Sequence, residues 1–450
     1  MQKYNFVGKK IGIWGAGIVG QSAINFFLQN ACNIQLLNKN FVANLDPKIT
    51  QLLQEEKNIK TFFETNDYIL ASPGIPLHDF EEFHHKIITE LDIMQQEYKK
   101  PIIAITGTVG KTTITHILQK TLNRFRKTIA AGNIGYPMLN LLNKDHEEEQ
   151  AVIEVSSFQL QHTKQFAPDL AIITNFYKNH LDYHKTEAEY FEAKTKIFQF
   201  QKQDQKRLVC TEIASKAAAK SQTFLCGEKP LKEKESSNFY IENNKIIFVN
   251  KFIKVELANL DFLPSYTFPQ NWLIIIAALY LNDIIINSEL YDFFHTITLP
   301  QHRLAPIYTI NGTTWYNDSK STIWQSTAQA MLQVEKPLAL FLGGLSKGVD
   351  RTPLIEKIKE IKDVTVFAFG KEADQIKQIC KGKNVPVFSA ATLEESFTQC
   401  MKNIEGKRSI LFSPAGSSFD LFKNYSDRGQ VFEQLAQEYF IKSNPNHSKF

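Results

Sequence analysis

The residues with the clearest chemical potential lie in one short glycine-containing stretch. An apolar run, Ile102–Ile105, leads into Thr-Gly-Thr-Val-Gly-Lys-Thr-Thr at positions 106–113. Two glycines let backbone N–H groups turn toward phosphate oxygens, a helix N-terminus adds partial positive charge, a lysine supplies a full charge, and a threonine hydroxyl can bind Mg²⁺. The general motif has another glycine five positions before Gly110, where this chain has Ile105. The stretch therefore predicts a shortened phosphate-binding loop with these members: Gly107, Thr108, Gly110, Lys111, Thr112 and Thr113.

A second glycine-rich turn lies near the N-terminus. Lys10–Trp14 predicts a strand, and Gly15-Ala16-Gly17-Ile18-Val19-Gly20 follows it and opens a helical pattern. This is the fingerprint of a nucleotide-binding βαβ unit. An NAD site would have an acidic residue at the end of the next strand, where Asn38 stands, so the dehydrogenase interpretation weakens although an amide can still bind a nucleotide. The rigid turn Ser72–Gly74 follows another strand, at an edge where ligands collect.

Three further candidates follow the phosphate loop along the chain. Glu154 ends the predicted strand 151–155, where a carboxylate can bind a nucleotide-associated Mg²⁺. His180 follows the predicted strand 169–175, and we favour a ligand or phosphate role over a solvated turn histidine. Lys194 and Lys196 lie on the predicted helix 187–200, where side-chain chemistry alone does not separate them from solvated lysines.

The elements that must position these residues alternate between strands and helices, which predicts parallel, doubly wound α/β sheets. In the last third of the chain, Gly, Lys and Ser gather after predicted strands, and we expect three α/β units whose loops face a shared cleft. Polar residues 95–100 predict a linker, and the charged insert Lys229–Lys234 predicts a surface loop. Gln270-Asn271 predicts the N-cap of an apolar helix, Trp272–Leu281. The predicted strands in the last third are 314–317, 338–342, 364–369, 385–388 and 410–413.

Composition bounds the function classes. The chain has 450 residues, too many for one core, and predicts about three domains. A net charge of +4 without a basic block gives no support for nucleic-acid binding. We expect no signal peptide, because the first ten residues have no apolar core, and no membrane span, because the longest apolar run stops after about ten residues. The five cysteines are scattered and predict reduced thiols in a cytosolic protein: Cys32, Cys210, Cys226, Cys380 and Cys400.

Taken in order, these motifs resemble the Mur ligases of peptidoglycan synthesis over nearly the whole chain. Any one of the motifs is weak, but the ordered set is specific. Within the family, Glu154–Leu160, Asp318–Thr322 and Ser413–Gly429 are most similar to the members that add D-glutamate. The matching stretches are Thr106–Thr113, Gly132–Pro137, Glu154–Leu160, Asn179–His184, His302-Arg303, Asp318–Thr322 and Gly343–Asp350.

The resemblance implies three domains and an ATP-dependent reaction. Residues 1–98 would form a Rossmann-like UDP-binding domain, 99–299 a central P-loop sheet that binds ATP, and 300–450 a Rossmann-like domain that binds the amino acid. The substrate's carboxylate would attack the γ-phosphate, and the amine of D-glutamate would attack the resulting acyl phosphate. The implied partners are small molecules, UDP-N-acetylmuramoyl-L-alanine and D-glutamate, with no nucleic acid and no membrane, and the implied state is a cytoplasmic monomer.

The resemblance also assigns roles residue by residue. Lys111, His180 and Lys194 would be catalytic; Thr112 and Glu154 would bind one Mg²⁺, and His180 with a carbamoylated Lys194 a second. The other implied ATP-binding residues are Asn271, Arg303 and Asp318. The implied UDP-sugar site consists of Gly15, Gly17, Gly20, Asn38, Ser72, Gly74 and Asn133. The implied D-glutamate site consists of Thr322, Lys347, Ser418 and Tyr425.

Four departures from the family pattern concern mainly adenine recognition: Val109, Gln270, Ile274 and Ile323. Three alternatives remain open. A folylpolyglutamate synthetase shares the ATP loop and the modified lysine but does not account for the N-terminal glycine turn. An NAD-dependent oxidoreductase rests on that turn alone. A non-catalytic nucleotide-binding regulator is consistent with the departures.

Overall fold

The computed structural model describes residues 3–143, 147–181, 183–227, 237–310, 312–403 and 405–443. The predicted surface loop Lys229–Lys234 lies outside these ranges. The chain divides into two units. The first comprises Met1–Tyr177, Tyr183–Leu263 and Pro269–Ile297, and the second comprises Lys178–Asp182, Pro264–Phe268 and Thr298–Phe450. Within the described ranges, none of the helices combines the length and the apolar character needed to cross a membrane.

The N-terminal part of the first unit is a parallel sheet of four strands. In chain order its elements are β1 (Lys10–Trp14), α1 (Ile18–Gln29), β2 (Asn33–Asn38), β3 (Thr50–Leu53), α2 (Glu56–Thr65), β4 (Tyr68–Ala71) and α3 (Glu90–Glu97). The strand order is β3-β2-β1-β4. This order places the turns after β1 and β4 side by side at the carboxyl edge, so the glycine turn and the Ser72–Gly74 turn are neighbours.

Helix α3 runs through Glu97, so the prediction of a linker over residues 95–100 is wrong for its first half. Thr89 and Asp92 form a capping box, in which each side chain accepts from the other residue's backbone N–H. The Asp92 carboxylate is fully buried and also accepts from the Thr163 hydroxyl and the Lys164 N–H. These bonds secure the start of α3, and the helix then runs through Glu97.

The rest of the first unit is built on a mixed sheet, nine strands of which lie in the described residues. In chain order its elements are β5 (Ile102–Thr106), α4 (Lys111–Leu122), β6 (Thr128–Gly132), β7 (Gln150–Glu154), α5 (Ser157–Leu160), β8 (Leu170–Ile173), α6 (Glu187–Gln199), β9 (Lys206–Cys210), α7 (Thr211–Lys216), β10 (Gln222–Gly227), β11 (Ser237–Glu242), β12 (Lys245–Val249), β13 (Lys254–Asn259), α8 (Pro269–Tyr280) and α9 (Ser288–Thr296). The order is β13-β12-β11-β10-β9-β8-β5-β7-β6, with β12 antiparallel to both neighbours.

Strand β5 lies between β8 and β7, and all five of its residues are buried. Continuous β-branched and apolar sequence is expected of a strand covered on both faces. The phosphate loop therefore leaves the middle of a rigid sheet. The predicted N-cap of the apolar helix is wrong: α8 begins at Pro269, so Gln270 and Asn271 lie inside its first turn.

The second unit carries the third sheet. In chain order its elements are β14 (Ala305–Ile310), β15 (Thr313–Asn317), α10 (Trp324–Leu332), β16 (Leu338–Gly343), α11 (Thr352–Ile361), β17 (Val364–Phe369), α12 (Ala373–Gly382), β18 (Val387–Ala390), α13 (Leu393–Lys402), β19 (Ser409–Phe412) and α14 (Tyr425–Ser443). The order is β14-β15-β19-β16-β17-β18, and among the strand pairs of the described residues β14–β15 alone is antiparallel. The predicted three-sheet α/β fold class is confirmed.

Candidate active site

The phosphate loop joins β5 to α4 through two residues with left-handed backbone. Gly107 has φ of +142° and Gly110 has φ of +87°. A Cβ on Gly107 would lie 2.0 Å from Thr174 Oγ1, and one on Gly110 would lie 2.6 Å from Asn271 Oδ1. Each of these two positions therefore requires glycine for two reasons, the left-handed backbone and the lack of space for a Cβ. The same contact places Asn271, predicted to bind ATP, directly against the loop.

Two residues that the sequence did not single out hold the loop from the neighbouring strand end. Asn175 Oδ1 accepts from the N–H groups of Thr108 and Val109, at 3.2 and 2.9 Å. Thr174 Oγ1 donates to the Val109 carbonyl at 2.6 Å. Two loop N–H groups therefore point to Asn175. Helix α4 begins at Lys111, and its N-terminus is the predicted site for a phosphate.

Two lysines converge on one backbone carbonyl in this loop. Lys111 Nζ and Lys194 Nζ each donate to the Gly107 carbonyl oxygen at 2.8 Å. Lys111 also donates to the Thr108 carbonyl at 3.0 Å. Lys194 is only 2% exposed, although it lies 87 residues further along the chain than Gly107. The solvated-lysine interpretation of Lys194 is therefore wrong.

Burial is the largest influence on the Lys194 ammonium. It lowers the pKa of Lys194 well below the usual value, the charge of Lys111 lowers it further, and the Glu154 carboxylate acts in the opposite direction. The Lys194 ammonium also lies 4.6 Å from the centre of the Tyr190 ring. A low pKa favours the neutral amine, which is the nucleophilic form of a lysine. Burial also lowers the pKa of Lys196, but this side chain is only half-buried and its ammonium donates to the Gln161 carbonyl, whereas that of Lys194 donates to the loop.

Glu154 stands at the end of β7, beside β5, and is 1% exposed. Its Oε1 accepts from Asn133 Nδ2 at 3.0 Å. Its Oε2 is buried and has no hydrogen-bond partner among the described residues. A buried carboxylate oxygen without a donor fits a hard cation, and Mg²⁺ prefers such oxygens. Thr112, at the start of α4, is 5% exposed and supplies the second predicted protein oxygen.

His180 belongs to the short segment that groups with the second unit. Its φ is +57°, and its backbone N–H donates to Asn179 Oδ1 at 2.9 Å. The neighbouring Asp182 lies outside the described residues. The metal or catalytic role of His180 stays a prediction.

The predicted UDP-sugar residues meet at the carboxyl edge of the N-terminal sheet. A Cβ on Gly15 would lie 2.6 Å from Ser72 Oγ, and one on Gly20 would lie 1.9 Å from the Gly15 carbonyl oxygen. Asn38 Oδ1 accepts from the Ala16 N–H at 3.3 Å, so this amide braces the glycine turn. Gly17 and Gly74 have open space where a Cβ would be. Asn133 lies instead beside Glu154.

A small cavity of about 30 Å³ adjoins the Ser72 turn. It is lined in part by Ser72, Glu90 and His162, and each of these has a buried polar atom without a partner in the described residues. Burial lowers the pKa of His162 to about 3, with His84 as the next cause, and burial raises the pKa of Glu90 to about 7. The cavity has room for a bound water.

We expect Glu90→Gln to raise the melting temperature at pH 8 and to change it little at pH 5. Burial raises the pKa of Glu90 from 4.5 to about 7, so the folded state keeps a proton that the unfolded state has lost. The free energy of unfolding of the native chain therefore falls by up to about 3 kcal/mol as the pH rises through this window. Thermal unfolding at both pH values measures the effect, and Glu56→Gln, at an exposed position, is the control. Equal shifts at the two pH values would contradict it.

In the second unit, two glycine-containing turns lie side by side. Strands β16 and β19 are parallel neighbours, and the turns that follow them pair through Leu345 and Ser417, whose N–H groups donate to each other's carbonyls at 2.9 Å. A Cβ on Gly344 would lie 2.2 Å from the Ser417 carbonyl oxygen. Lys347 and Ser418, both predicted to bind D-glutamate, therefore lie on adjoining turns.

Arg428 links these turns to the remaining predicted residues, although the sequence assigned it no role. Its side chain is fully buried and donates to the Ser319 hydroxyl, the Ser319 carbonyl and the Gly416 carbonyl, at 3.1, 2.7 and 2.9 Å. Ser319 Oγ in turn donates to the Tyr425 carbonyl at 2.7 Å. Burial lowers the pKa of Arg428 to about 9, so the guanidinium remains charged at neutral pH. Thr322 lies on the turn that contains Ser319.

Asp318 is the centre of a buried hydroxyl cluster. Its Oδ2 accepts from Ser321 and Ser413 at 2.5 and 2.7 Å, and its Oδ1 accepts from the Leu304 N–H at 3.1 Å. Burial raises the pKa of Asp318, while the hydroxyl donors and Arg303 act in the opposite direction. Both carboxylate oxygens are thus engaged within the unit, which fixes the turn that follows β15.

The comparisons with known proteins agree with this architecture. Residues 105–261 match the model of the Mur ligase middle domain. The UDP-N-acetylmuramoylalanine–D-glutamate ligase of Thermoanaerobacter sp. (strain X514) is 30% identical over 471 residues, which cover 96% of this chain and 98% of the relative. The enzyme of the same name from Buchnera aphidicola is 30% identical over 457 residues, with 97% and 99% coverage.

Solved structures show the same fold at low identity. The MurF ligase of Thermotoga maritima in complex with ADP has a TM-score of 0.56 at 15% identity and covers 96% of each chain. A bifunctional folylpolyglutamate synthase/dihydrofolate synthase of Yersinia pestis has a TM-score of 0.54 at 13% identity, covering 81% of this chain and 99% of its own.

The chain belongs to the Mur ligase family. Members of this family are ATP-dependent ligases that form an amide bond, so this chain is an ATP-dependent carbon–nitrogen ligase of peptidoglycan synthesis. The resemblance inferred from the motifs is confirmed. The interpretations of the chain as an oxidoreductase or as a non-catalytic regulator are not confirmed.

Proposed function

We propose that this chain joins D-glutamate to UDP-N-acetylmuramoyl-L-alanine, with ATP converted to ADP and phosphate. The observation that carries the proposal is the similarity, over 96% of the chain, to relatives named for that reaction. We also propose three domains, residues 1–98, 99–299 and 300–450, acting as a cytoplasmic monomer. Glycine turns on the first sheet suit a diphosphate, and the loop after β5 suits ATP.

The first chemical step transfers the γ-phosphoryl group to the substrate. A carboxylate oxygen of the alanyl end forms a bond to phosphorus, the bond to ADP breaks, and an acyl phosphate results. Lys111, whose ammonium donates to the Gly107 carbonyl, would neutralise charge on the transferred group, and the N-terminus of α4 would add partial positive charge. Thr112 and Glu154 would hold one Mg²⁺, and His180 with a carbamoylated Lys194 would hold a second. When bound, these ions would neutralise further negative charge on the phosphates. Asn271 and Arg303 would contact the nucleotide, and Asp318, also predicted to bind ATP, would contribute by fixing the turn after β15, since both of its oxygens are engaged within the second unit.

The second step forms the amide. The neutral amine of D-glutamate attacks the acyl carbon, its proton is lost, and phosphate leaves with the electrons of the carbon–oxygen bond. The two carboxylates of D-glutamate need cationic and hydroxyl donors, which Lys347, Ser418, Thr322 and the backbone near Tyr425 would provide. These residues occur on neighbouring turns of the second unit.

We propose that Lys194 carries a carbamate in the active enzyme. Its neutral amine would attack the carbon of CO₂, a nitrogen–carbon bond would form, and one proton would be released. The low pKa of Lys194 supports this, because burial already favours the uncharged amine. The product exchanges a buried cation for anionic oxygens, which suit a hard cation near Glu154.

The choice of amino acid is tested by phosphate release. We expect phosphate release from ATP to require both UDP-N-acetylmuramoyl-L-alanine and D-glutamate. With L-glutamate, L-alanine or meso-diaminopimelate in place of D-glutamate, phosphate release should be near background. A folate substrate with L-glutamate serves as the assay for the related synthetase activity. Phosphate release with another amino acid but not with D-glutamate would reject the substrate assignment while leaving the ligase class intact.

We expect Lys347→Ala to weaken the use of D-glutamate by roughly 10- to 150-fold, because a charge-assisted hydrogen bond contributes about 1.5–3 kcal/mol. The apparent affinity for the UDP-sugar should change little, since that ligand would be held mainly by the first unit. Steady-state kinetics with each substrate varied in turn measure both effects. The pocket assignment would be wrong if Lys347→Ala and Ser418→Ala raised the KM for the UDP-sugar and left the KM for D-glutamate unchanged.

A further inference from the structure

Arg351 is a buried cation that binds the backbone of both glycine turns in the second unit. It is 4% exposed. Its guanidinium donates to the carbonyls of Gly343 and Gly344 at 3.3 and 2.7 Å, and to those of Pro414 and Ala415 at 3.4 and 3.2 Å. One planar group thus spans the ends of β16 and β19, and its rigid fork fixes the distance between the turns.

Glu372 connects the same guanidinium to the residue before Lys347. Glu372 Oε2 accepts from Arg351 Nη2 at 3.0 Å and from Nε at 3.2 Å. Glu372 Oε1 accepts from the Ser346 N–H at 2.9 Å and from the Ser346 hydroxyl at 3.1 Å. Both carboxylate oxygens are therefore used, one on the arginine and one on the lysine-bearing turn.

Lys347 itself has a costly backbone conformation. Its φ is +56°, in the left-handed region that a residue with a side chain adopts at an energetic cost. The hydrogen bonds to Ser346 and the pairing of Leu345 with Ser417 hold the turn in that conformation. We expect the turn to relax when these bonds are removed, and the Lys347 side chain to change direction with it.

We propose that Arg351 and Glu372 are positioning residues that aim Lys347 at the incoming amino acid, and that they thereby set the affinity for a dicarboxylic amino acid. The inference rests on the proposed function, since it takes Lys347 to contact D-glutamate. Neither residue needs to touch the substrate. The pair instead links Lys347 to the Pro414–Ser418 turn, so the donors on the two turns keep one fixed spacing.

The primary test is Glu372→Gln, which keeps the shape of the side chain and removes its charge. We expect the KM for D-glutamate to rise roughly tenfold, because a glutamine amide has one acceptor oxygen and can accept from Ser346 or from Arg351 but not from both. The KM values for ATP and the UDP-sugar, and kcat, should stay within about twofold. Arg351→Lys should give a similar KM change, and Arg351→Met a larger one. Glu360→Gln, in an exposed pair with Lys357, is the matched control.

A double-mutant cycle separates positioning from general loss of stability. If Glu372 acts through Lys347, then Glu372→Gln should change the KM for D-glutamate by less than about twofold in the Lys347→Ala background. An unchanged KM for D-glutamate in the single variant, or a full tenfold effect in both backgrounds, would overturn the inference. A native chain that turns over ATP without using D-glutamate would reject the proposed function, and this inference with it. If Arg351→Met does not fold, Glu372→Gln still tests the inference.

Discussion

Lys194→Ala will retain almost none of the ligase activity, and small carboxylates such as acetate will restore part of it. Lys194 is buried beside the phosphate loop, where it donates to the Gly107 carbonyl, and the low pKa of Lys194 favours the amine that a carbamate requires. Alanine removes the proposed anionic oxygens and leaves a space that a carboxylate ion can enter. The measurement is D-glutamate-dependent phosphate release with and without acetate, together with intact mass in bicarbonate buffer.

Lys196→Ala on the same helix is the control for this result. Its ammonium donates to the Gln161 carbonyl, whereas the Lys194 ammonium donates to the Gly107 carbonyl of the loop, so we expect Lys196→Ala to lose stability and to keep turnover close to that of the native chain. Full activity of Lys194→Ala, or an unmodified amine in a crystal grown with bicarbonate, would reject the carbamate.

Lys111→Ala should lower kcat by about 10²-fold or more, the usual cost of losing one preorganised charge or donor at a transition state. Lys111 begins α4, and its ammonium already lies over the loop, 2.8 Å from the Gly107 carbonyl oxygen. Transient and steady-state phosphate release measure the loss, while calorimetric binding of ATP shows whether nucleotide still enters.

The exposed Lys120 lies on the same helix, and Lys120→Ala should behave as the native chain. Near-normal turnover in Lys111→Ala would contradict the assignment of the phosphate loop. A loss of equal size in both variants would point to an unstable helix instead.

Much of the scaffold could be predicted from local signals. The predicted strands Lys10–Trp14 and 364–369 have the same bounds as β1 and β17 in the structure. Each is an apolar run followed by a turn containing glycine or proline, so both its period and its end are marked in the sequence. The phosphate loop was recognisable for the same reason.

The missed residues depend on contacts between distant parts of the chain. Asn175 was placed inside a predicted strand, but β8 ends at Ile173, which frees Asn175 to hold the loop beside β5. Arg351 and Arg428 bind backbone carbonyls that approach only when β16 and β19 pair. No local pattern reports such a contact. A buried arginine among glycine turns is recognisable only once the sheet order is known.

The central claim is that this chain activates a carboxylate as an acyl phosphate, and oxygen transfer tests it most directly. The terminal carboxylate of UDP-N-acetylmuramoyl-L-alanine is labelled with ¹⁸O and incubated with ATP, D-glutamate and the enzyme. We expect ADP and inorganic phosphate, the phosphate carrying one ¹⁸O per amide formed and the amide carbonyl retaining the other label. Unlabelled phosphate, or label recovered in AMP, would contradict it.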